Sequence, residues 1–168
     1  MTVGGQAGND DGGMGIWTQA RTMVAAPRRR FVAALCAMYH SALGLARELR
    51  ADAERSPYPQ HAQSLLVLAD TADSQASALA EELRRLGSAP DHPPLSVARP
   101  PGRNHWERLT ADLARVQEFT KRYLELAQHW DVMFEESAAT LTRLVHDTRE
   151  MERAIGELIA RSDPHASD

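Results

Sequence analysis

His146 and Glu150 lie four residues apart, at a spacing where an imidazole and a carboxylate on one helix face can bind the same metal ion. His40 could join them from another helix. A histidine-rich iron site, however, needs several more inward-facing histidines than this chain offers. The alternative is that these polar residues lie on the exposed face of a helix bundle.

Cys36 and His40 form a second pair with the same spacing. A thiolate beside an imidazole can begin a nucleophilic or redox-sensing site. The neighbouring sequence supplies no group that would orient the histidine and no oxyanion site, so a buried structural cysteine is the alternative. Cys36 is the only cysteine in the chain, which excludes an internal disulfide and fits a reducing, cytoplasmic setting.

The length and composition favour a single domain with a buried core. The chain has 168 residues, of which 43% are hydrophobic, enough to bury a core. A net charge of −4 provides no general attraction to nucleic acid or to anionic membranes. No apolar run approaches the roughly 20 residues that span a bilayer. We therefore expect neither a specific nucleic-acid partner nor a membrane span.

The first long helix is predicted to begin at Pro27, a residue that suits a first helical position, and to end near residue 55. Its apolar stripe is residues 31, 35, 38, 42, 45 and 49. The preceding residues 1–27 are predicted to form a flexible tail. In the alternative, Trp17, Met23 and Val24 dock as a short helix.

Arg28 and Arg29, followed by Phe31, resemble a twin-arginine export signal. The apolar stripe favours an amphipathic helix instead, because it continues through the region where such a signal would be cleaved. Together with Arg30, these arginines stand at the predicted start of the helix, where the helix dipole disfavours positive charge. Either Asp10 and Asp11 of the tail, or the end of a docked short helix, offset them, or they contact an acidic partner surface or bind nucleic acid nonspecifically.

The second helix is predicted from Pro59 to a stop at Gly87. The third begins near Asn104, whose spacing from Glu107 suits a capping box. A fourth helix, over residues 131–162, is predicted to begin with Asp131 as its cap. Because neither Gly nor Pro occurs between residue 104 and Gly156, one continuous helix is the alternative.

Between the second and third helices lies a proline-rich connector, residues 88–103. In an extended, polyproline-like path at about 3.1 Å per residue it spans about 50 Å, longer than a 27-residue helix. The connector is therefore predicted to cross the whole length of the bundle, which would make helix 3 parallel to helix 2. A disordered insertion in an up-and-down bundle is the alternative.

Two helical hairpins joined by one crossover form the ferritin-like arrangement. QASALAEELRRLGSAP, residues 75–90, resembles the end of the second helix in bacterioferritins and rubrerythrin-like proteins. LARELRADAE, residues 45–54, is similar to the matching region of their first helix. The resemblance implies a ferritin-like fold over residues 28–162.

The same resemblance implies a di-iron site, with a Glu from two helices and a Glu-x-x-His pair from each of the other two. At the positions matching one pair, this chain has Ala72 and Gln75. The other pair falls on Asp147 and Glu150, and helix 3 offers Glu118. Helix 1 has Leu35, Cys36 and Met38 where a Glu is expected. The site is therefore predicted to be degenerate.

The sequence predicts an all-α four-helix bundle over residues 28–162, with a long crossover between helices 2 and 3 and a short tail at residues 163–168. We expect it to lack a catalytic role and a cofactor, and to act as a homo-oligomer or by binding a protein partner. Trp106, Trp130 and Phe134 are candidate contact residues or, alternatively, core residues.

Two other functions stay open. In the first, the chain is a ferritin-like metalloprotein, an oxidoreductase or storage protein, that holds iron or manganese through an atypical site. The candidate ligands are Glu118, His146, Asp147 and Glu150. In the second, the chain is a small-ligand or redox sensor that uses Cys36.

Overall fold

The computed structural model describes residues 14–90 and 104–162, with side chains from residue 26 onward. Within these ranges the chain is all-α and has no β-strand, which confirms the predicted class. The helices are α1 (Met14–Glu54), α2 (Pro59–Arg85), α3 (His105–Trp130) and α4 (Glu135–Ala160). None of these helices is both long and apolar enough to cross a membrane.

The helices form two antiparallel hairpins that pack together. The closest packing is between α1 and α2 and between α3 and α4, while α1 also contacts α3 and α2 contacts α4. Arg50 of α1 binds Asp73 of α2 at 2.5 Å, and Arg85 of α2 binds Glu136 of α4 at 2.6 Å. Ion pairs therefore join helices both within a hairpin and between hairpins.

One continuous core fills the space between the four helices. All six apolar stripe positions predicted for the first helix are buried, namely Phe31, Leu35, Met38, Ala42, Leu45 and Leu49. This burial confirms the amphipathic-helix interpretation of the segment that follows the arginines. At one end of the core, Phe31 stacks on Phe134 with ring centroids 4.6 Å apart and contacts Trp130 at 5.3 Å. Trp130 therefore lies in the core, and Trp106 is half-buried.

The predicted start of the first helix is wrong, because α1 begins at Met14 and contains Pro27 in its interior. A proline inside a helix removes one main-chain hydrogen bond and clashes with the preceding turn. The residues around it are mostly good helix formers, and the helix continues through the proline. Residues 14–27 are thus helical, whereas residues 1–13 and the predicted tail 163–168 lie outside the described residues.

The predicted ends of α2 are confirmed. Pro59 is its first residue, and Gly87 follows its C-cap with a φ of 70°, in the left-handed region that favours glycine. The amide of Ser88 donates to the carbonyl of Leu83 at 2.9 Å, and the amide of Gly87 donates to that of Arg84 at 2.9 Å. These two bonds form a Schellman motif, which ends the helix.

The second hairpin confirms the predicted break between helices and corrects its cap. As predicted, Asn104 caps α3, because its side chain accepts a hydrogen bond from the amide of Glu107 at 2.9 Å. Asp131 is the C-cap of α3 in the right-handed helical region and does not start α4. The N-cap of α4 is Phe134, whose ring packs on Phe31. α4 therefore starts after Phe134, whose ring packs in the core, and not at Asp131 as predicted.

The start of α3 lies beside the start of α2. His105 is within 3.0 Å of His61, while the other end of α2 contacts α4 through Arg85 and Glu136. The predicted crossover falls mainly on residues 91–103, which lie outside the described residues.

Candidate functional site

The four predicted metal ligands lie mostly on the surface of the second hairpin. Glu118 is exposed and accepts a hydrogen bond from Arg122 at 2.8 Å. Glu150 is exposed, 3.7 Å from Arg153, and His146 is exposed as well. In the described parts of the chain, no three His, Cys, Asp or Glu side chains come together in a way that could hold a metal ion. The geometry therefore gives the metal hypothesis no support, and it stays a prediction.

Asp147 is the most deeply placed of these four residues, and it is half-buried. It lies close enough to Tyr123 to affect that phenol. Burial raises the pKa of Tyr123, and the negative charge of Asp147 raises it further. Tyr123 is fully buried, and its hydroxyl has no hydrogen-bond partner in the described structure. The phenol therefore stays protonated as part of the core.

The core positions that match the missing ligands are tightly packed. Ala72 is fully buried, and Gln75 is 1% exposed. The Nε2 of Gln75 lies 3.7 Å from the Sδ of Met151 across the α2–α4 interface. This pair of an amide and a thioether is a weak hydrogen bond and supplies no carboxylate for a hard metal ion.

Cys36 and His40 are in contact, as their spacing predicts. The Sγ of Cys36 is 4.0 Å from the Nε2 of His40, and both side chains are half-buried. They line an open groove of about 740 Å³ between α1 and the end of α2, which also includes Arg29 and Gly87. A thiol in such a groove is accessible to small reagents, so thiol modification can be tested on the folded protein.

A second open groove, of about 700 Å³, lies between α1 and α3. Apolar side chains, including Met38, Leu126 and Trp130, line part of it, and Arg122 and Glu125 add charge. An apolar surface flanked by polar groups suits the side chains of another helix better than a small charged substrate.

The three arginines have a different setting from the one predicted. Because α1 begins at Met14, Arg28, Arg29 and Arg30 lie in the middle of a helix and not at its start. The Nη2 of Arg28 donates to the main-chain oxygen of Leu86 at 2.5 Å, at the end of α2. One of the three therefore has a structural role as a helix cap.

A buried polar cluster that the sequence did not predict lies at the opposite end of the bundle. Arg108, 3% exposed, reaches from α3 to α1, where its Nη2 donates to the main-chain oxygen of Arg55 at 3.1 Å. Its Nε is 3.4 Å from the Oδ1 of Asp52, which also accepts a hydrogen bond from Arg55 at 3.0 Å. This group of charges ties α3 to the end of α1.

Two histidines complete this polar end. The Nδ1 of His61 and the Nε2 of His105 are 3.0 Å apart, and the residues are 7% and 4% exposed. Burial lowers the pKa of His61, and the charge of Arg161 lowers it further. One feature of the sequence could have indicated this cluster: polar residues stand at positions where the buried stripe continues, such as Asp52, three residues after Leu49.

Comparison with protein-family models and with curated protein sequences gives no match. The ferritin-like resemblance therefore depends on the two quoted segments and on the order and pairing of the helices.

Proposed function

We propose that this protein is a non-catalytic helical bundle of ferritin-like architecture that acts by oligomerisation or by binding a protein partner. One observation carries the proposal: α1 is much longer than the helices it packs against. It has 41 residues, whereas α2, α3 and α4 have 27, 26 and 26. At 1.5 Å per residue, α1 is about 61 Å long and its partners are about 40 Å long.

The extra length lies at one end of the bundle. α2 ends beside Arg28, and the end of α3 and the start of α4 meet Phe31 through Trp130 and Phe134. Residues 14–27, which we call the α1 extension, precede this level. The extension contains a single charged residue, Arg21.

A helical segment that continues beyond its packed neighbours gains little tertiary packing from the bundle, and packing supplies most of the stability of helices in proteins. A nearly uncharged helix is also an unfavourable surface to leave in solvent. Packing against a second copy of the chain, or against another protein, would remove both costs. The groove between α1 and α3 begins near Ala34, along the same helix, and offers further apolar surface.

The positions of the predicted ligands support a non-catalytic role. Glu118 and Glu150 form ion pairs with Arg122 and Arg153 at the surface, and Gln75 contacts a thioether in the core. The net charge of −4 favours a protein partner over nucleic acid. The free, half-buried thiol of Cys36 is compatible with a reducing, cytoplasmic setting, which is part of the proposal.

The proposed architecture includes the crossover over residues 88–103. The end of α2 lies beside Arg28, whereas the start of α3 lies beside His61, at the start of α2. The 27 residues of α2 separate these points by about 40 Å. The sixteen residues 88–103 are long enough to cover this distance, since an extended chain spans up to about 3.3–3.6 Å per residue.

Sedimentation velocity over a wide range of protein concentration tests the proposal, using the full chain and two variants of Ala20. Ala20→Pro interrupts the extension at a cost of about 3 kcal/mol, which corresponds to about a hundredfold weaker association. Ala20→Gln keeps a good helix former and serves as the control. We expect the full chain and Ala20→Gln to assemble and Ala20→Pro to dissociate while its bundle remains folded by circular dichroism. A full chain that stays monomeric, or a proline variant that assembles equally well, would contradict self-association.

A further inference from the structure

The buried pair of His61 and His105 joins the starts of α2 and α3. Their ring centroids are 5.3 Å apart and the ring planes are inclined by 30°. Tyr58, in the turn before α2, contacts both rings, at 4.9 Å and 5.7 Å. A hydrogen bond of 3.0 Å between the facing nitrogens therefore lies in a small, mostly buried aromatic group.

A hydrogen bond between two imidazole nitrogens requires one proton at that position: one nitrogen donates and the other accepts. The neutral pair satisfies this condition, and so does a pair carrying one extra proton. When both rings are cations, all four nitrogens carry protons and the facing atoms have no acceptor between them. Two positive charges 3.0 Å apart at a buried site then repel each other.

Several charged groups lie at the same end of the bundle as the pair. Arg161, at the end of α4, acts on His61 electrostatically. Asp52 lies at the end of α1 and Arg55 just after it, while α3 carries Arg108 and the fully buried Asp112, three and seven residues after His105. Asp52 is already paired with cations, because it accepts a hydrogen bond from Arg55 and lies 3.4 Å from Arg108. These surroundings therefore favour a neutral histidine pair over a pair in which both rings are protonated.

We propose that His61 and His105 form an acid-sensitive latch, which holds the start of α3 against the start of α2 when the pair is neutral or singly protonated and releases it when both rings are protonated. The latch acts at the end of the bundle opposite the α1 extension, and it operates in a monomer as well as in an assembly. Its release exposes the α1–α2 turn and the first turn of α3.

Hydrogen exchange of the hydrogen-bonded amides of Tyr58, Ala62, Glu107 and Arg108 tests the latch in the full chain between pH 7.5 and pH 5.5, after correction for intrinsic exchange rates. We expect the equilibrium constant for local opening to rise as pH falls below about 6.5, by up to about tenfold per pH unit for each proton taken up. His61→Gln, whose side-chain amide can still hydrogen-bond to His105 but cannot titrate, should remove most of this dependence. His146→Gln, at an exposed position on α4, should retain it.

A second measurement does not depend on any variant folding. In an NMR titration of the wild-type histidine rings, we expect one member of the pair to protonate well below pH 6.5 and its titration to accompany the exchange changes. Two independent titrations near pH 6.5 with no change in local exchange would overturn the proposal. The same pH dependence in His61→Gln and in the wild type would overturn it as well.

Discussion

Arg28 donates a hydrogen bond of 2.5 Å to the main-chain oxygen of Leu86, 58 residues further along the chain. Leu86 is the C-cap of α2, where carbonyl groups lack partners within the helix and carry partial negative charge. The guanidinium supplies both a donor and a positive charge at that point. This contact fixes the position along α1 at which α2 ends. The α1 extension, residues 14–27, lies just before that position in the chain.

The residue after this cap should be sensitive to substitution. Gly87→Ala adds a Cβ at a φ of 70°, and the nearest atom it would meet is 3.5 Å away, so backbone strain is the main cost. We expect a loss of about 1–2 kcal/mol in the free energy of unfolding. Gly156→Ala is the matched control: its Cβ meets nothing within 4 Å, and we expect a gain of about 0.5–1 kcal/mol. Urea unfolding measures both, and changes of equal sign would contradict this account.

The aromatic contacts at the end of the core predict a large effect at Phe31. This side chain is fully buried against Trp130 and Phe134, so Phe31→Ala should cost about 3–5 kcal/mol in unfolding free energy. Val132 is 93% exposed in the nearby loop, and Val132→Ala should change stability by about 0.5 kcal/mol or less. Chemical denaturation of the two variants gives the comparison. A small loss at Phe31 would mean that this end of the core is loosely packed.

Glu82 lies between the two hairpins, and its hydrogen bonds there predict that the protein becomes less stable at acidic pH. Burial acts to raise its pKa, but hydrogen bonds from Arg85, Thr140 and Ser137 outweigh burial, and the net shift is downward. A carboxyl whose pKa is lowered on folding stabilises the protein above its ordinary value, near 4.5, and loses this contribution as pH falls through its folded pKa.

Unfolding free energies measured from pH 6 to pH 3 test this assignment. We expect Glu82→Gln to be less stable than the wild type at pH 6 and the difference to shrink below about pH 4.5. Glu136→Gln is the control, because Glu136 binds the same Arg85 with a side chain that is 78% exposed. Parallel curves for Glu82→Gln and the wild type over the whole range would show that Glu82 does not join the hairpins.

Metal analysis separates the proposed role from the metalloprotein alternative. We expect protein purified without chelators to contain far less than one iron or manganese per chain, because Glu150 and His146 are exposed at the surface and Asp147 is only half-buried. Stoichiometric metal that disappears in the Asp147→Ala, Glu150→Ala double variant would instead establish the alternative. The double variant also controls for adventitious binding elsewhere.

Cys36→Ser tests the sensor alternative. The thiol is half-buried and its contact with His40, at 4.0 Å, is weak, so we expect little change in stability or assembly. Treating the wild type with a thiol reagent should also leave assembly unchanged. An effect of the reagent that is absent in Cys36→Ser would support a sensor role.

The helix ends show which features were accessible from sequence. Pro59, Gly87 and Asn104 mark helix ends correctly, because their effects depend on their own main-chain geometry and on residues a few positions away. Pro27 and Asp131 mislead for the opposite reason. Each is a valid local signal, but α1 continues through the proline, and packing of Phe134 on Phe31 sets the start of α4.

The candidate site residues also divide into those whose environment the local sequence predicts and those whose environment depends on helix packing. The burial of Ala72 and Gln75 was predictable, since both continue the apolar periodicity of α2. The sequence left the exposure of Glu118 and Glu150 open, because a polar residue beside an apolar stripe faces inward or outward according to the neighbouring helices.

The amino-acid sequence by itself determined that the chain is helical, where most helices end and which faces they bury, since periodicity and capping act over a few residues. Only the tertiary structure decided that Arg28 caps a helix 58 residues away and that His61 meets His105. Such contacts join residues far apart in the chain, and their partners are selected by how the helices pack.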